Sequence, residues 1–170
     1  MRKQLTALAV GAAVLTTGLP SAAAAEGPAR PLKGWSAPAP DAYGPPVDCP
    51  EGTSWRYGQT STGWFSHLGR VTVTVTHCTY ALEGRFDHGA TILTAANGDQ
   101  VWMSYWGTFQ LDSLENPTRS DVSLTWTIAG GTGRFAGATG DGTGTAVGTI
   151  SGPDGSTWGT WTGDITYGTT

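Results

Sequence analysis

The clearest signal in this chain is an alternation of apolar and polar residues with a period of two, which is typical of β-strands with one buried face. In one such strand the residues of one face are Val71, Val73, Val75 and His77, and threonines occupy most of the other. Similar patterns predict strands over residues 85–95, 100–110, 120–129, 141–150 and 156–167, with one or two more between 54 and 68. No stretch from residue 53 onward has the apolar spacing of an amphipathic helix. The pattern therefore predicts an all-β domain of seven or eight antiparallel strands.

The placement of glycine favours a closed barrel over a sandwich. In the strand over residues 141–150, four small residues fall on one face: Gly142, Gly144, Ala146 and Gly148. A face with almost no side chains suits a strongly coiled strand, or one across which bulky aromatic side chains lie. Closed barrels need such places more often than sandwiches do, so we expect a single eight-stranded antiparallel barrel.

Residues 130–140 form a glycine-rich segment between two predicted strands. Glycines such as Gly131 and Gly133 permit positive φ angles and close backbone approaches, and Arg134 and Phe135 are the only large side chains in the segment. A phosphate-binding loop is excluded because no amphipathic helix follows. We therefore expect a structural turn in which Phe135 caps the barrel end and Arg134 hydrogen-bonds nearby carbonyl or carboxylate groups.

The N-terminal part of the chain predicts two segments outside the barrel. Residues 1–25 have the basic start, short apolar middle and small-residue cleavage site of a secretory signal peptide. That apolar stretch is too short to span a bilayer. Residues 26–52 hold most of the ten prolines and are expected to be an extended lead-in, anchored at Cys49. The barrel domain is then expected over residues 53–170.

Charge and cysteine content narrow the possible partners and the compartment. Without Arg2 and Lys3, the mature chain has 7 basic and 13 acidic residues, a net charge of −6. This balance argues against a nucleic-acid partner. The chain contains two cysteines, Cys49 and Cys78, and in an oxidising compartment an even pair predicts one disulfide. The alternative, a nucleophilic thiol, would need a depressed pKa.

Three segments together resemble a known family. They are His-Leu-Gly-Arg at 67–70, Leu-Thr-Ala-Ala-Asn-Gly-Asp at 93–99 and the glycine-rich segment 130–140. In this order they resemble small secreted bacterial proteins of the allene oxide cyclase barrel-like family, which is related in fold to plant allene oxide cyclases and dirigent proteins. The resemblance covers roughly residues 54–167. It implies an eight-stranded antiparallel barrel with an apolar interior, which in the plant relatives binds a lipid- or phenol-derived intermediate, and it implies packing into trimers.

Catalytic candidates are few, and each has a structural alternative. His67 belongs to the resembling motif and could act as a general base, or its ring could fix a strand end through backbone hydrogen bonds. His77 shares the valine face and, if buried, needs a polar partner. Asp164 could be an acid if its strand face points inward, partnered by Arg134, or an outward residue that resists edge pairing. The sequence predicts neither a metal site nor a cofactor, and it lacks the Gly-x-Ser-x-Gly motif of triad hydrolases.

Aromatic residues predict either a ligand cavity or an interface. The chain has eight tryptophans, and the strand over 100–110 has large apolar residues on both faces. Met103, Tyr105 and Trp126 are the predicted ligand-binding residues, although aromatic packing of a small β-core explains them equally. Trp102 and Trp106 lie on the opposite face, so the outer set needs cover from another subunit or from the lead-in.

These observations leave three hypotheses for function. The first is a secreted barrel that binds a small apolar molecule in its interior. The second is a cyclase- or isomerase-type enzyme on the same barrel, which a buried polar pair inside the cavity would favour. The third is a secreted structural or carbohydrate-binding surface protein, which a barrel without a cavity would favour.

Overall fold

The computed structural model describes residues 27–150 and 155–168. The predicted signal peptide at residues 1–25 and most of the turn that precedes Gly155 lie outside the described residues. Nine strands are present within the described part: β1 (Arg30–Pro40), β2 (Ala42–Gly44), β3 (Trp55–Phe65), β4 (Gly69–Tyr80), β5 (Arg85–Ala95), β6 (Gln100–Leu111), β7 (Arg119–Gly131), β8 (Thr139–Thr149) and β9 (Ser156–Thr166). The described residues also form two short 3-10 helices, Ala81–Glu83 and Gly133–Phe135.

Eight of these strands close into an antiparallel barrel. Each strand from β3 to β9 pairs with the next along the chain, and β1 closes the ring because it pairs with both β9 and β3. The short strand β2 pairs with the first residues of β3, beyond the end of β1. The prediction of a single eight-stranded antiparallel barrel is confirmed.

The barrel begins earlier in the chain than residue 53. Part of the expected lead-in, Arg30–Pro40, is extended but is itself a barrel strand, with Leu32 and Ser36 buried inside. The sequence pattern did not predict this strand, because its prolines cannot donate hydrogen bonds to a β-ladder. A register shift between Ser36 and Ala39 accommodates Pro38, and backbone pairing with the otherwise open edges of β3 and β9 stabilises the strand.

One half of the barrel interior is densely packed, and we call it the packed half. It lies toward the first residues of β4, β6 and β8 and is filled by large side chains that are almost fully buried: Leu32, Phe65, Val71, Leu93, Val101, Met103, Trp126, Phe135 and Ile165. The Trp126 ring lies against the glycine face of the final hairpin. A Cβ atom on Gly142 or Gly163 would come within 2.4 or 2.6 Å of Cζ2 of Trp126. Missing side chains on β8 and β9 therefore make the space for this ring.

The glycine-rich turn closes the packed half. Phe135 is fully buried and stacks on Tyr167, with ring centroids 5.8 Å apart. The Arg134 guanidinium donates to the carbonyl of His67 and lies 3.9 Å from the Asp99 carboxylate. Gly133 has a φ of 55°, in the left-handed region that glycine tolerates best.

The predicted disulfide is confirmed. Cys49 and Cys78 are bonded, with their Cα atoms 5.7 Å apart. Cys78 is buried on β4, and Cys49 lies in the loop between β2 and β3. The bond ties this loop to the barrel wall at the end opposite to Phe135.

Candidate functional site

The other half of the barrel, which we call the open half, contains a cavity of about 160 Å³. The cavity opens between the loops that follow β1, β4, β6 and β8, and its lining is mostly aromatic and aliphatic. The lining residues used below are Ser36, Asp41, Tyr43, Trp55, Tyr57, Gln59, His77, Thr79, Phe86, Thr91, Tyr105, Phe109, Ala146, Gly148, Thr157 and Gly159.

Small inward-facing residues create this cavity. At the positions where the packed half has leucine, phenylalanine or tryptophan, the open half has Ser36, Thr91, Ala146, Gly148 and Gly159. Because the same eight strands build both halves, residue size at inward positions decides which half has space. The site is therefore encoded by residues that are too small to fill the barrel.

His77 lies in a stack of aromatic rings on the cavity wall. Its imidazole is sandwiched between Tyr57 and Phe86, with each ring centroid 4.5 Å away. Its Nδ1 atom is 2.7 Å from the hydroxyl oxygen of Tyr105. Burial lowers the pKa of His77 from 6.5 to about 3, so the ring is neutral at physiological pH.

The His77–Tyr105 pair can offer a hydrogen-bond donor in either tautomer. If the Tyr105 hydroxyl donates to Nδ1, the N–H of the ring is at Nε2 and remains free to donate. If Nδ1–H donates instead, the Tyr105 hydroxyl keeps its proton for another acceptor. Burial raises the pKa of Tyr105 well above its usual value, so this hydroxyl stays protonated. The pair is a buried polar pair of the kind that an enzyme on this barrel would need.

A second polar group, centred on Asp41, lies at the mouth of the cavity. The Asp41 carboxylate accepts from the hydroxyl of Tyr57 at 2.7 Å, Nε2 of Gln59 at 3.1 Å, the hydroxyl of Thr157 at 3.1 Å and the hydroxyl of Tyr43 at 3.3 Å. Burial, together with the Asp41 charge, raises the pKa of Tyr43 to about 12 and that of Tyr57 further. Both phenols therefore remain donors to this carboxylate.

One cavity residue has an unused hydroxyl. Among the described residues, two buried side-chain oxygens have no hydrogen-bond partner, Oγ of Ser61 and Oγ1 of Thr79. Thr79 lines the cavity and follows His77 on the same inward face of β4, whereas Ser61 is not part of the cavity lining. An unpaired buried hydroxyl is destabilising, and a ligand that reaches Thr79 would relieve that cost.

Of the three catalytic candidates, the structure places only His77 in the cavity. His67 lies at the packed end, where Nε2 is 3.0 Å from the Pro31 carbonyl and the backbone has a φ of 70°. Asp164 is exposed on the outer face of β9. It does not pair with Arg134, because alternation along β9 places Trp161 and Ile165 inside.

The three predicted ligand-binding residues do not all lie at the cavity. All three belong to the hydrophobic core, but Tyr105 also lines the cavity, whereas Met103 and Trp126 do not. The indole N–H of Trp126 donates to the carbonyl of Thr143 at 3.0 Å, so its polar atom is already satisfied. All three face inward, as the alternation predicts, but their height along the barrel differs.

Sequence reasoning missed the residues at the mouth. Alternation along β3 identifies Tyr57 and Gln59 as inward-facing once the strand is recognised. Asp41 has no comparable signal, because it lies between β1 and β2 in the proline-rich segment. Its position depends on its backbone N–H, which donates to the carbonyl of Gly155 at 2.9 Å.

No part of the chain that the structure describes covers the outer tryptophans of β6. Trp102 and Trp106 are 40% and 47% exposed. The alternative in which the lead-in lies across β6 is wrong, because its strand β1 pairs with β3 and β9 instead. The physical reason is that backbone pairing satisfies an entire row of N–H and C=O groups, which side-chain contacts on an outer face cannot do. Cover from another subunit stays a prediction.

Comparisons with known proteins do not add a relative. No protein-family model matches the chain, and neither a search of curated proteins nor a search of solved structures found a significant match. The resemblance to the allene oxide cyclase barrel-like family therefore stays a prediction. In the described part of the chain, no group of three or more potential metal ligands is present, and none of its helices is long and apolar enough to cross a membrane.

Proposed function

We propose that this protein is a secreted barrel that binds a small, mainly apolar molecule in the cavity of the open half. The observation that carries the proposal is the contrast within one barrel between a fully packed half and a half that leaves about 160 Å³ empty. Natural interiors are normally filled to crystal-like density, so a cavity of this size needs a reason. Its aromatic lining with a few polar groups is typical of small-molecule sites.

The size of the cavity limits the ligand. Cavities for drug-sized ligands measure about 300–1,000 Å³, whereas a dry apolar cavity of about 150 Å³ accommodates benzene. The present cavity of about 160 Å³ therefore suits a molecule with one ring, or one ring inside and a tail at the open mouth. The free donor of the His77–Tyr105 pair favours a polar substituent on that ring.

The binding test uses 2-phenylethanol, which has one ring and one hydroxyl, titrated into the protein by isothermal calorimetry. We expect saturable one-to-one binding that Ala146→Phe weakens at least tenfold, because the new ring occupies the cavity. Ala90→Phe is the matched control, since Ala90 is exposed on the outer face of β5. The absence of binding to the unmodified protein, or equal binding by the Ala146 variant, would contradict the proposal.

The secretion part of the proposal is supported by the pattern of residues 1–25 and by the Cys49–Cys78 disulfide, which fits an oxidising compartment. Mass spectrometry of protein recovered from the culture medium should show a chain that begins at Glu26. Recovery of the intact chain from the cell interior only would contradict it.

A cyclase- or isomerase-type activity is the second candidate, and the His77–Tyr105 pair favours it. A neutral imidazole bonded to a phenol inside an apolar cavity can act as a donor or acceptor to a bound intermediate. The test is to isolate the molecule that copurifies with the native protein and incubate it with fresh protein. If the protein is catalytic, the isomer composition of this molecule should change, and Tyr105→Phe should slow the change. If the molecule is unchanged, the protein binds it without catalysis.

A further inference from the structure

We infer that the cavity selects an organic cation, a small amine that carries one ring, over neutral or acidic molecules of the same shape. This inference rests on the proposed function, because it names the chemical class of the ligand in the same cavity. The ring would lie inside the open half, and the ammonium group would lie at the mouth beside Asp41.

The first argument is the charge of the cavity lining. Among the described residues that line the cavity, Asp41 is the only acidic side chain, and neither lysine nor arginine is among them. The imidazole of His77 is neutral, and the phenols of Tyr57 and Tyr105 keep their protons. The lining therefore has one negative charge without a cationic partner, which attracts a cation and repels a carboxylate.

The second argument is the set of aromatic rings at the mouth of the cavity, where Tyr43 and Tyr57 also donate their hydroxyls to Asp41. Tyr43 contacts Trp55 and Tyr57 edge to face, with ring centroids 6.1 and 5.7 Å away, and all three line the mouth of the cavity. The faces of aromatic rings attract ammonium groups, and this attraction is strongest where water is partly excluded. A carboxylate next to several aromatic rings thus offers two separate contributions to cation binding.

The third argument is that the mouth can accept an ammonium group at low cost. The Asp41 oxygens already accept four hydrogen bonds, and the longest of them, at 3.3 Å, comes from Tyr43, whose ring is 58% exposed. An incoming N–H can replace this bond while Tyr43 turns toward solvent. Because the mouth is open, the bound cation keeps part of its hydration, which reduces the desolvation cost of the pair.

The experiment compares three probes that share a phenyl ring and a short chain: phenethylamine, 2-phenylethanol and phenylacetate. At pH 7 they are a cation, a neutral molecule and an anion. We expect phenethylamine to bind about tenfold more tightly than 2-phenylethanol, and phenylacetate to bind more weakly than both. Equal or tighter binding of the alcohol, or of phenylacetate, would overturn the inference and leave the proposed function intact.

Substitution tests the role of Asp41 directly. Asp41→Asn keeps the shape of the side chain and removes its charge, so the ratio of amine to alcohol affinity should fall from about ten to about one. Asp164→Asn is the matched control, because it removes one negative charge from the exposed face of β9 and should leave the ratio unchanged.

Three further outcomes are decisive. An unchanged ratio in Asp41→Asn would overturn the inference, as would an equal fall in Asp164→Asn. Failure of all three probes to bind the unmodified protein would overturn the proposed function and the inference with it. Should Asp41→Asn fail to fold, the ratio measured on the unmodified protein still decides the inference.

Discussion

The same eight strands build both halves of this barrel, but one half is packed and the other contains a cavity. In the packed half, inward positions carry large side chains, and Phe135 and Trp126 are fully buried. In the open half, several inward positions carry serine, threonine, alanine or glycine, which leaves space between the aromatic and aliphatic side chains of the wall and the polar residues Asp41 and His77. The comparison teaches that such a barrel can concentrate its stability at one end and leave the other free for a ligand.

The halves also differ in how they treat polar groups. In the packed half the indole N–H of Trp126 is paired with the carbonyl of Thr143. In the open half a hydroxyl on Thr79 has no partner, and the His77–Tyr105 pair has a donor to spare. Unused hydrogen-bonding capacity is costly in a folded protein, and functional sites are where that cost is tolerated.

The largest expected difference concerns one phenylalanine from each half. Phe135→Ala removes a fully buried ring from the packed half and should lower the free energy of unfolding by about 3–5 kcal/mol. Phe109→Ala removes a half-buried ring that already borders the cavity, and should cost about 1–2 kcal/mol. Urea unfolding followed by tryptophan fluorescence measures both. Equal losses would show that the two halves do not differ in packing as described.

Loss of the disulfide should destabilise the open half. Replacing Cys49 and Cys78 together by alanine removes the cross-link at Cys78, which lies between the cavity residues His77 and Thr79. The loss should lower the free energy of unfolding by about 3–4 kcal/mol in the chain-entropy model. The melting temperature of the unmodified protein should fall on reduction, whereas that of the double variant should not respond to reductant. A melting temperature that reductant leaves unchanged in both proteins would exclude a stabilising role for this bond.

Acid should weaken the fold through His77. The unfolded chain takes up a proton at this residue near pH 6.5, whereas the folded chain does so only near pH 3. The unfolded state therefore binds more protons between these values, and stability falls as the pH is lowered through this range, by about 1.4 kcal/mol per pH unit at most.

The control for this pH effect is His77→Phe, which fills the same stack and cannot titrate. Its stability should depend less on pH between 4.5 and 6.5 than that of the unmodified protein. Asp112, whose pKa is lowered to about 2 by hydrogen bonds from Thr118, changes stability only at lower pH and does not interfere. Parallel pH profiles for the two proteins would mean that His77 is not buried as described.

The smallest expected effect on stability comes from removing either of the two unpaired hydroxyls, those of Ser61 and Thr79. Ser61→Ala and Thr79→Val each remove a buried oxygen without a partner, so each should raise the free energy of unfolding by about 1 kcal/mol or less. Saturating 2-phenylethanol should reduce this gain for Thr79→Val only, because only Thr79 lines the cavity. An equal response of both variants to the alcohol would place the ligand elsewhere.

The sequence by itself determined the β class, the barrel, which residues of a strand share a face, and the disulfide. Alternation assigns residues such as Val73, Tyr105 and Trp126 to one of the two faces of their strands, because side chains on a strand point to opposite faces in turn. The structure shows that this face is the inward one. The glycine face of β8 predicts that large rings lie across it, and Trp126 does. These features follow from local geometry, so a pattern along the chain is enough to read them.

The tertiary structure alone decided which end of the barrel is open and which residues meet there. Tyr105 and Met103 share a face two positions apart and both belong to the core, yet only Tyr105 lines the cavity. Asp41 and Tyr57 meet because β1 closes the ring between β9 and β3, a pairing that proline-rich sequence conceals. Alternation specifies the face of a side chain, but its height in the barrel depends on register between strands distant in sequence, which no local pattern records.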